Sequence, residues 1–503
     1  MKHVGSEANL NATNSTAPKR RKFWLTLSFL AFWAASLSPA PELPDLSDFA
    51  RHGQNPVKRV LASLAERRPN FTPSPQPPPE GAYPALPEFL PPAPALGESE
   101  HLRRLRSHDV LKDPMDRVSD DFDIPAELNQ RVKFWFDVYT KYGRFTHVLH
   151  HSRYPWIVYE VIDFTDAVKS GKGPEWLKVE KSKKLLRQRR AEIRLALRRL
   201  SRRPAVAKTD LEKRLVSLLA SVPGRRSHVY RDAAGALRSQ LGQRDYFIAG
   251  LRRSSRYLPH LEETFLSQGL PLGLTRMPFV ESSFNERAES KVGASGIWQV
   301  MPATGRAYGL VNGSIDERNS PFKATAMAAR LLKTYHKALG SWPLAITAYN
   351  HGIGNIQIAI RAARSRDLPK IIERYHQRDF KFASSNFYTC FLAALYAERY
   401  SEVVFPSVVR DPAISHDRFM VTRSVPLKQL ITFGDLNLNK VLEFNLDINR
   451  RAWRQVTLPR GFVLHLPRGH GDLLPERLRS KMRPVPSSPT TITDTRERSK
   501  PSI

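Results

Sequence analysis

The sequence predicts a mainly α-helical protein with a short β-hairpin ahead of its main helical domain and a small β-α-α-β module behind it. Three observations lead there. Val132, Trp135, Phe136 and Tyr139 fall at the three- and four-residue spacing of one helix face, and a longer helical domain reads from 241 to 405. Two β-prone runs, Thr146–Leu149 and Ile157–Ile162, flank the turn signal Ser152-Arg153-Tyr154-Pro155. Residues 415–468 read strand, helix, helix, strand.

Taken in order, residues 1–38 read as a signal peptide or N-terminal membrane anchor. Lys19-Arg20-Arg21-Lys22 precedes an apolar run from Phe23 to Leu37, the layout of an export signal. The run is short against the roughly 20 residues of a spanning helix, yet Ser38-Pro39-Ala40 is not a clean cleavage site, so anchoring stays open. Residues 39–121 read as a disordered linker, rich in proline as in Thr72-Pro73-Ser74-Pro75-Gln76-Pro77-Pro78-Pro79. Such a run has few donors and little helical freedom and extends as a spacer.

Residues 122–240 read as a helical region with the hairpin. The helix is expected over Pro125–Tyr142. A basic helical stretch follows at 178–204, including Lys181, Lys183, Lys184, Arg187, Arg189 and Arg190, with Leu185, Leu186, Ile193, Leu195 and Leu197 as its apolar stripe. This stretch reads as a solvated face or as a docking surface for acidic polymer. His150-His151 reads as a surface pair on the hairpin. The tail, 469–503, is expected to be disordered.

Charge narrows the partners. Lys plus Arg number 79 against 48 Asp plus Glu, a net charge of +31, which calls for an anionic neighbour. An export signal weighs against nucleic acid and toward an acidic membrane surface or wall polymer. Cys390 is the only cysteine, which excludes an intrachain disulfide and a CxxC metal site. Its apolar surroundings read as a buried position.

Chemistry is concentrated between Pro271 and Gly352. If Pro271–Phe284 is helical, Leu274, Met277, Pro278, Glu281 and Phe284 share a face, and Pro278 bends the helix one turn before the acid. A carboxyl among apolar side chains is held protonated, as a general acid requires. Ser290 follows, then Gly293-Ala294-Ser295-Gly296-Ile297-Trp298-Gln299. The small residues allow close backbone approach, Trp298 offers an apolar face and Gln299 a donor and an acceptor. Ser320-Pro321 opens a helix, and Tyr349 and Asn350 sit at a helix end before Gly352.

Glu-Ser, then Gly-Ala-Ser-Gly-Ile-Trp-Gln, then Ala-Tyr-Asn-x-Gly resembles the catalytic domain of family 1 lytic transglycosylases, closest to the membrane-bound type D branch. The resemblance implies a lysozyme-like helical domain of the goose type over 241–405, with Glu281 as sole catalytic acid/base. It implies substrate-binding roles for Ser290, Trp298, Gln299, Tyr349 and Asn350, and a supporting role for Ser282. The family's further tyrosine falls in register on Phe387, a supporting position here, leaving Tyr388 as the hydroxyl expected to reach the substrate. No metal or cofactor is implied. The implied reaction cleaves the bond between N-acetylmuramic acid and N-acetylglucosamine in peptidoglycan and closes a 1,6-anhydro ring. That places the protein in the periplasm or cell envelope, with glycan strands as its partner.

Residues 415–468 resemble a degenerate LysM module. They depart from it at Arg423-Ser424-Val425-Pro426, which lacks the usual glycine turn, and at Phe444-Asn445-Leu446, which lacks a proline. Two other functions stay open: a goose-type muramidase that uses water with Glu286 or Glu289 as a second carboxylate, and a non-catalytic peptidoglycan-binding scaffold.

Overall fold

The computed structural model describes residues 105–376 and 380–481. The expected signal or anchor, most of the proline-rich linker and the chain beyond 481 lie outside them. The described chain is mainly helical, with few and short strands.

The expected first helix forms as a 3-10 turn, Ala126–Leu128, running into an α-helix, Asn129–Thr140. Val132, Trp135, Phe136 and Tyr139 are buried along it. They join the main core with Phe247, Leu274, Phe279, Trp298 and Phe391. This helix packs on the helices Phe382–Arg399 and Arg244–Leu266, so it is part of the main helical domain and not of a separate preceding region. The expected linker also ends early. Val110, Leu111 and Val118 are buried in the same core, and the Tyr400 hydroxyl hydrogen-bonds Asp113. Apolar side chains here fill gaps beside the last helix, which a proline-based reading of the region overlooks.

The hairpin forms from strands Thr146–His151 and Val158–Asp163, paired antiparallel with Val148 opposite Val161. A third strand, Leu237–Leu241, pairs with the other edge of the first. The basic helix runs over Glu175–Arg202 and packs on the helix Arg226–Gly235. Leu186, Ile193, Ala196, Leu197 and Leu200 enter a second core with Leu149, Tyr159 and Tyr230. Leu185 and Leu195, expected in that stripe, are 47% and 50% exposed, because the helix phase turns them outward. His150 and His151 are interior, not surface: both are buried, and burial pulls their imidazoles down to about 3 and about 4.

The main domain continues through Pro321–Leu339, capped by Ser320 and opened by Pro321, to Trp342–His351 and Ile353–Ala363. Behind it, strands His416–Met420 and Val463–Pro467 pair antiparallel around helices Leu427–Phe433 and Leu438–Phe444, the expected order. Part of the expected tail folds too: the helix Leu473–Lys481 buries Leu474 in this module's core. The module sits against the main domain. Ile315 contributes to its core, Asp316 N–H donates to the Asp447 carbonyl at 2.8 Å, and buried Asp447 takes the Lys323 ammonium at 2.6 Å.

Candidate active site

The acid is held by two short helical pieces, not one bent helix. A 3-10 turn, Leu272–Arg276, passes directly into the α-helix Met277–Glu281. Pro278 therefore lies in a first turn, where its missing N–H costs nothing. Leu274, Met277 and Phe284 are fully buried. Ser283 and Phe284 then adopt left-handed backbone, φ 49° and 52°, which reverses the chain and returns the Phe284 ring edge-on to Phe279 at 4.8 Å. Non-glycine residues in this region store strain, on the order of 1 kcal/mol each or more, and cluster at functional sites.

Glu281 closes the short helix at 6% exposure. Among the described residues its carboxyl has no hydrogen-bond or ion-pair partner. Burial alone pushes it up from 4.5 to about 8, so it carries a proton at neutral pH. Ser282 faces the other way: its hydroxyl donates to the Ile297 carbonyl at 2.9 Å, tying the helix end to the glycine-rich loop.

That loop is built by its own polar groups. Ser290 Oγ accepts the Ala294 N–H at 2.8 Å, and Gln299 Nε2 donates to the carbonyls of Ala288 and Gly296 at 3.1 and 2.9 Å. Gln299 is itself left-handed at φ 47°, and its Oε1 is a buried acceptor without a partner among the described residues. Gly296, at φ 76°, lies so close to the Arg318 carbonyl that a Cβ would come within 2.0 Å. Trp298 is fully buried, stacks on Phe265 at 5.7 Å and donates to Thr325 Oγ1 at 2.8 Å. Its indole thus fills the core and offers no face to a ligand, contrary to expectation.

Tyr349 and Asn350 end the helix Trp342–His351, both half-buried. The Tyr349 hydroxyl donates to the Trp298 carbonyl at 2.9 Å, and its phenol is raised well above the usual range by burial and by the nearby Glu281. Asn350 Oδ1 accepts from Ser384 Oγ at 3.3 Å, which links it to the last helix. Tyr388 is turned elsewhere. It stacks beside Phe391, and burial, then Tyr396, Asp123 and Asp121, raise its phenol above the usual tyrosine range. Phe387 is buried in the main core. Neither position brings a hydroxyl to the acid.

One residue near the acid was assigned only to packing by the sequence. Tyr139, from the helix Asn129–Thr140, is raised well above the usual tyrosine range by burial, by Cys390 and by Glu281. Its separation from Glu281 along the chain carries no local signal that could have paired them.

Comparison with known proteins places part of the chain in a family match. Residues 268–372 match the family model described as Transglycosylase SLT domain. The chain is 34% identical over 116 residues to membrane-bound lytic murein transglycosylase D of Escherichia coli strain K12, a stretch that covers 23% of this chain and 26% of that protein. The same figures hold for the protein of that name from Escherichia coli O6:H1. A putative tributyltin chloride resistance protein of an Alteromonas species is 32% identical over 123 residues, 24% of this chain and 59% of that protein. The chain thus spans about a quarter of the length of the first two relatives and somewhat over half of the third. Residues 268–372 are therefore a transglycosylase SLT domain, with homology to membrane-bound lytic murein transglycosylase D.

Proposed function

We propose that this protein is a peptidoglycan lytic transglycosylase that cleaves the bond between N-acetylmuramic acid and N-acetylglucosamine and leaves 1,6-anhydro ends. The observation that carries the proposal is Glu281: a buried carboxyl without a partner among the described residues, protonated at neutral pH, inside the matched domain. In this reading Glu281 protonates the bridging oxygen. The substrate's own acetamido oxygen supports the developing charge at the anomeric carbon, which replaces the second carboxylate most glycosidases use. The Glu281 carboxylate then takes the proton of the muramoyl 6-hydroxyl, whose oxygen closes the ring. The nucleophile is part of the substrate, so proximity contributes an effective molarity on the order of 10⁵ M or more.

The geometry supports the surrounding roles. Ser290 shapes the loop beside the substrate. Gln299 offers its free Oε1 as an acceptor, Asn350 its amide, and Tyr349 holds the loop through the Trp298 carbonyl. Glu286 and Glu289 line a cavity shared with Leu442, Ile448 and Arg450 of the C-terminal module, which gives no support to a water-activating role. We assign the βααβ unit a glycan-binding, LysM-like role and the molecule an envelope location. The first rests on the module's strand and helix order, the second on the basic and apolar N-terminus and the printed name of its relatives. Among the described residues no helix is long and apolar enough to cross a membrane.

Digestion of isolated sacculi tests the proposal. The wild type is expected to release anhydromuropeptides, and Glu281→Gln to release none while keeping its fold. Products with reducing muramoyl ends would instead indicate hydrolysis.

A further inference from the structure

A cluster of rings meets where the C-terminal module rests on the main domain. His260, on the helix Arg244–Leu266, stands edge-on to Phe322 at 4.8 Å between ring centres, and Phe322 lies in the first turn of the helix Pro321–Leu339. From the module, His465 stacks on Phe322 at 4.4 Å, and His416 lies 4.5 Å from the same ring. His416 and His465 come from the paired strands His416–Met420 and Val463–Pro467 and are 4.7 Å apart. His260 is 6.1 Å from His416. Three imidazoles from two units thus gather around Phe322.

This packing suits neutral rings. His465 is 3% exposed, and neither of its ring nitrogens has a hydrogen-bond partner among the described residues. Only its backbone is held, by the Asn445 side chain at 2.9 and 2.6 Å. A proton there would put a charge in an apolar site, beside His416, Lys323, His260 and Arg418. The Lys323 ammonium is itself taken by Asp447 and Glu317. On the helix Arg244–Leu266, His260 has Glu263 at 3.8 Å, and Arg256 reaches Glu443 of the module at 3.8 Å. Beside His416 stand Arg418, Asp417 and the Ile414 carbonyl, with the Asp417 carboxylate also accepting the Gly471 N–H at 2.9 Å. Burial outweighs these neighbours. It pulls His260 down to about 4, His416 below its ordinary value and His465 furthest.

We propose that this cluster is an acid-sensitive latch: protonation of His260, His416 and His465 releases the C-terminal module from the main domain. Imidazoles that hold a proton less tightly docked than free lose docking strength as pH falls from about 6.5 toward 4, and the latch is fully closed above that window. An imidazole shifted as His260 is weakens docking about thirtyfold at pH 5, and two such rings weaken it about a thousandfold. Asp447 and Glu317 act in the opposite sense. Burial raises both carboxyls, so they bind protons more readily docked than free and oppose release as pH falls. Release withdraws one wall of the cavity that Glu286 and Glu289 share with Leu442, Ile448 and Arg450. It depends on the docked rings and not on the lytic reading.

Hydrogen exchange on the full chain, read by mass spectrometry, tests the latch. The Asp316 N–H, bonded to the Asp447 carbonyl at 2.8 Å, and the Asn449 N–H, bonded to the Ser314 carbonyl at 3.3 Å, cross from one unit to the other. Their protection, corrected for the intrinsic rate at each pH, is expected to fall about a thousandfold from pH 7.5 to pH 5, or until they are unprotected. Peptides from the helix Phe382–Arg399 should keep theirs. His416→Phe combined with His465→Phe keeps two rings and removes two proton sites, and should cut the fall to about thirtyfold or less, the share of His260. Should that pair fold poorly, His260→Phe alone, at the half-buried edge, should remove about thirtyfold of the fall. A wild type whose two amides stay protected at pH 5 overturns the latch, as does a folded variant that loses as much protection as the wild type. A loss shared equally by the Phe382–Arg399 peptides marks acid unfolding of the whole chain and overturns it too.

Discussion

At the scale of the residue, the proposed role of Glu281 ties activity and stability to one proton. Its carboxyl is lifted from 4.5 to about 8 by burial, so the form that donates a proton is lost as pH rises through about 8. The rate of glycan cleavage is expected to fall on the alkaline side with that midpoint. Stability follows the same shift. Below about pH 4.5 the group is protonated folded and unfolded, and it contributes no difference. Between there and about 8 the unfolded chain ionises first, so the folded state loses up to about 4 kcal/mol relative to a neutral side chain. Glu281→Gln is therefore expected to raise Tm at pH 8 and to leave it unchanged near pH 4, by calorimetry. A gain that is the same at both values would show that the site does not hold a neutral acid. The oppositely shifted carboxyl is Glu398, held down to about 2 by the Arg276 and Arg410 guanidiniums despite burial. Its stabilisation is present above about pH 4.5 and lost as pH falls toward 2.

At the scale of the element, the glycine-rich loop works because backbone approaches backbone. Gly296 combines φ 76° with a Cβ position 2.0 Å from the Arg318 carbonyl. Backbone cannot yield as a side-chain tip can, so Gly296→Ala is expected to cost more than about 3 kcal/mol, read as a fall in the denaturant midpoint. Ser282→Ala removes the bond to the Ile297 carbonyl. It leaves a buried acceptor bare and should cost about 1–3 kcal/mol, with kcat falling as the acid's helix end loosens from the loop. The loop's glycines and the Glu-Ser pair were legible as motifs because each residue type answers a local backbone need. Trp298 was misjudged for the same reason that Tyr388 was: the direction a side chain faces depends on the element packed above it. Phe265 covers Trp298, and the segment around Asp121–Asp123 covers the Tyr388 side of the last helix.

At the scale of the molecule, buried charges brace the main domain and join it to the C-terminal module. Arg276 sits between Glu262 and Glu398, all nearly inaccessible, with Glu398 at 2.9 Å. Deleting one member of such a group strands the others, so Arg276→Ala is expected to destabilise the main domain by about 3–5 kcal/mol, measured by urea unfolding. Lys323 links Asp447 of the C-terminal module to Glu317 of the main domain. Asp447→Ala should loosen the module while the main core stays folded, seen as new protease sensitivity after residue 405 with little change in the main unfolding transition.

The sequence by itself determined the mainly helical class, the order of strands and helices in the C-terminal module, and the motifs on which the proposed site rests. Those features are written in periodicity and in residue types that only certain local backbones accept. The tertiary structure decided where the units end and which rings the core takes in. Val110, Leu111 and Val118, expected in the linker, joined the core, the helix Asn129–Thr140 joined the main helical domain, and Trp298 was buried against Phe265. Helical phase tells which residues share a face, but only the packing of one helix on another says what that face meets.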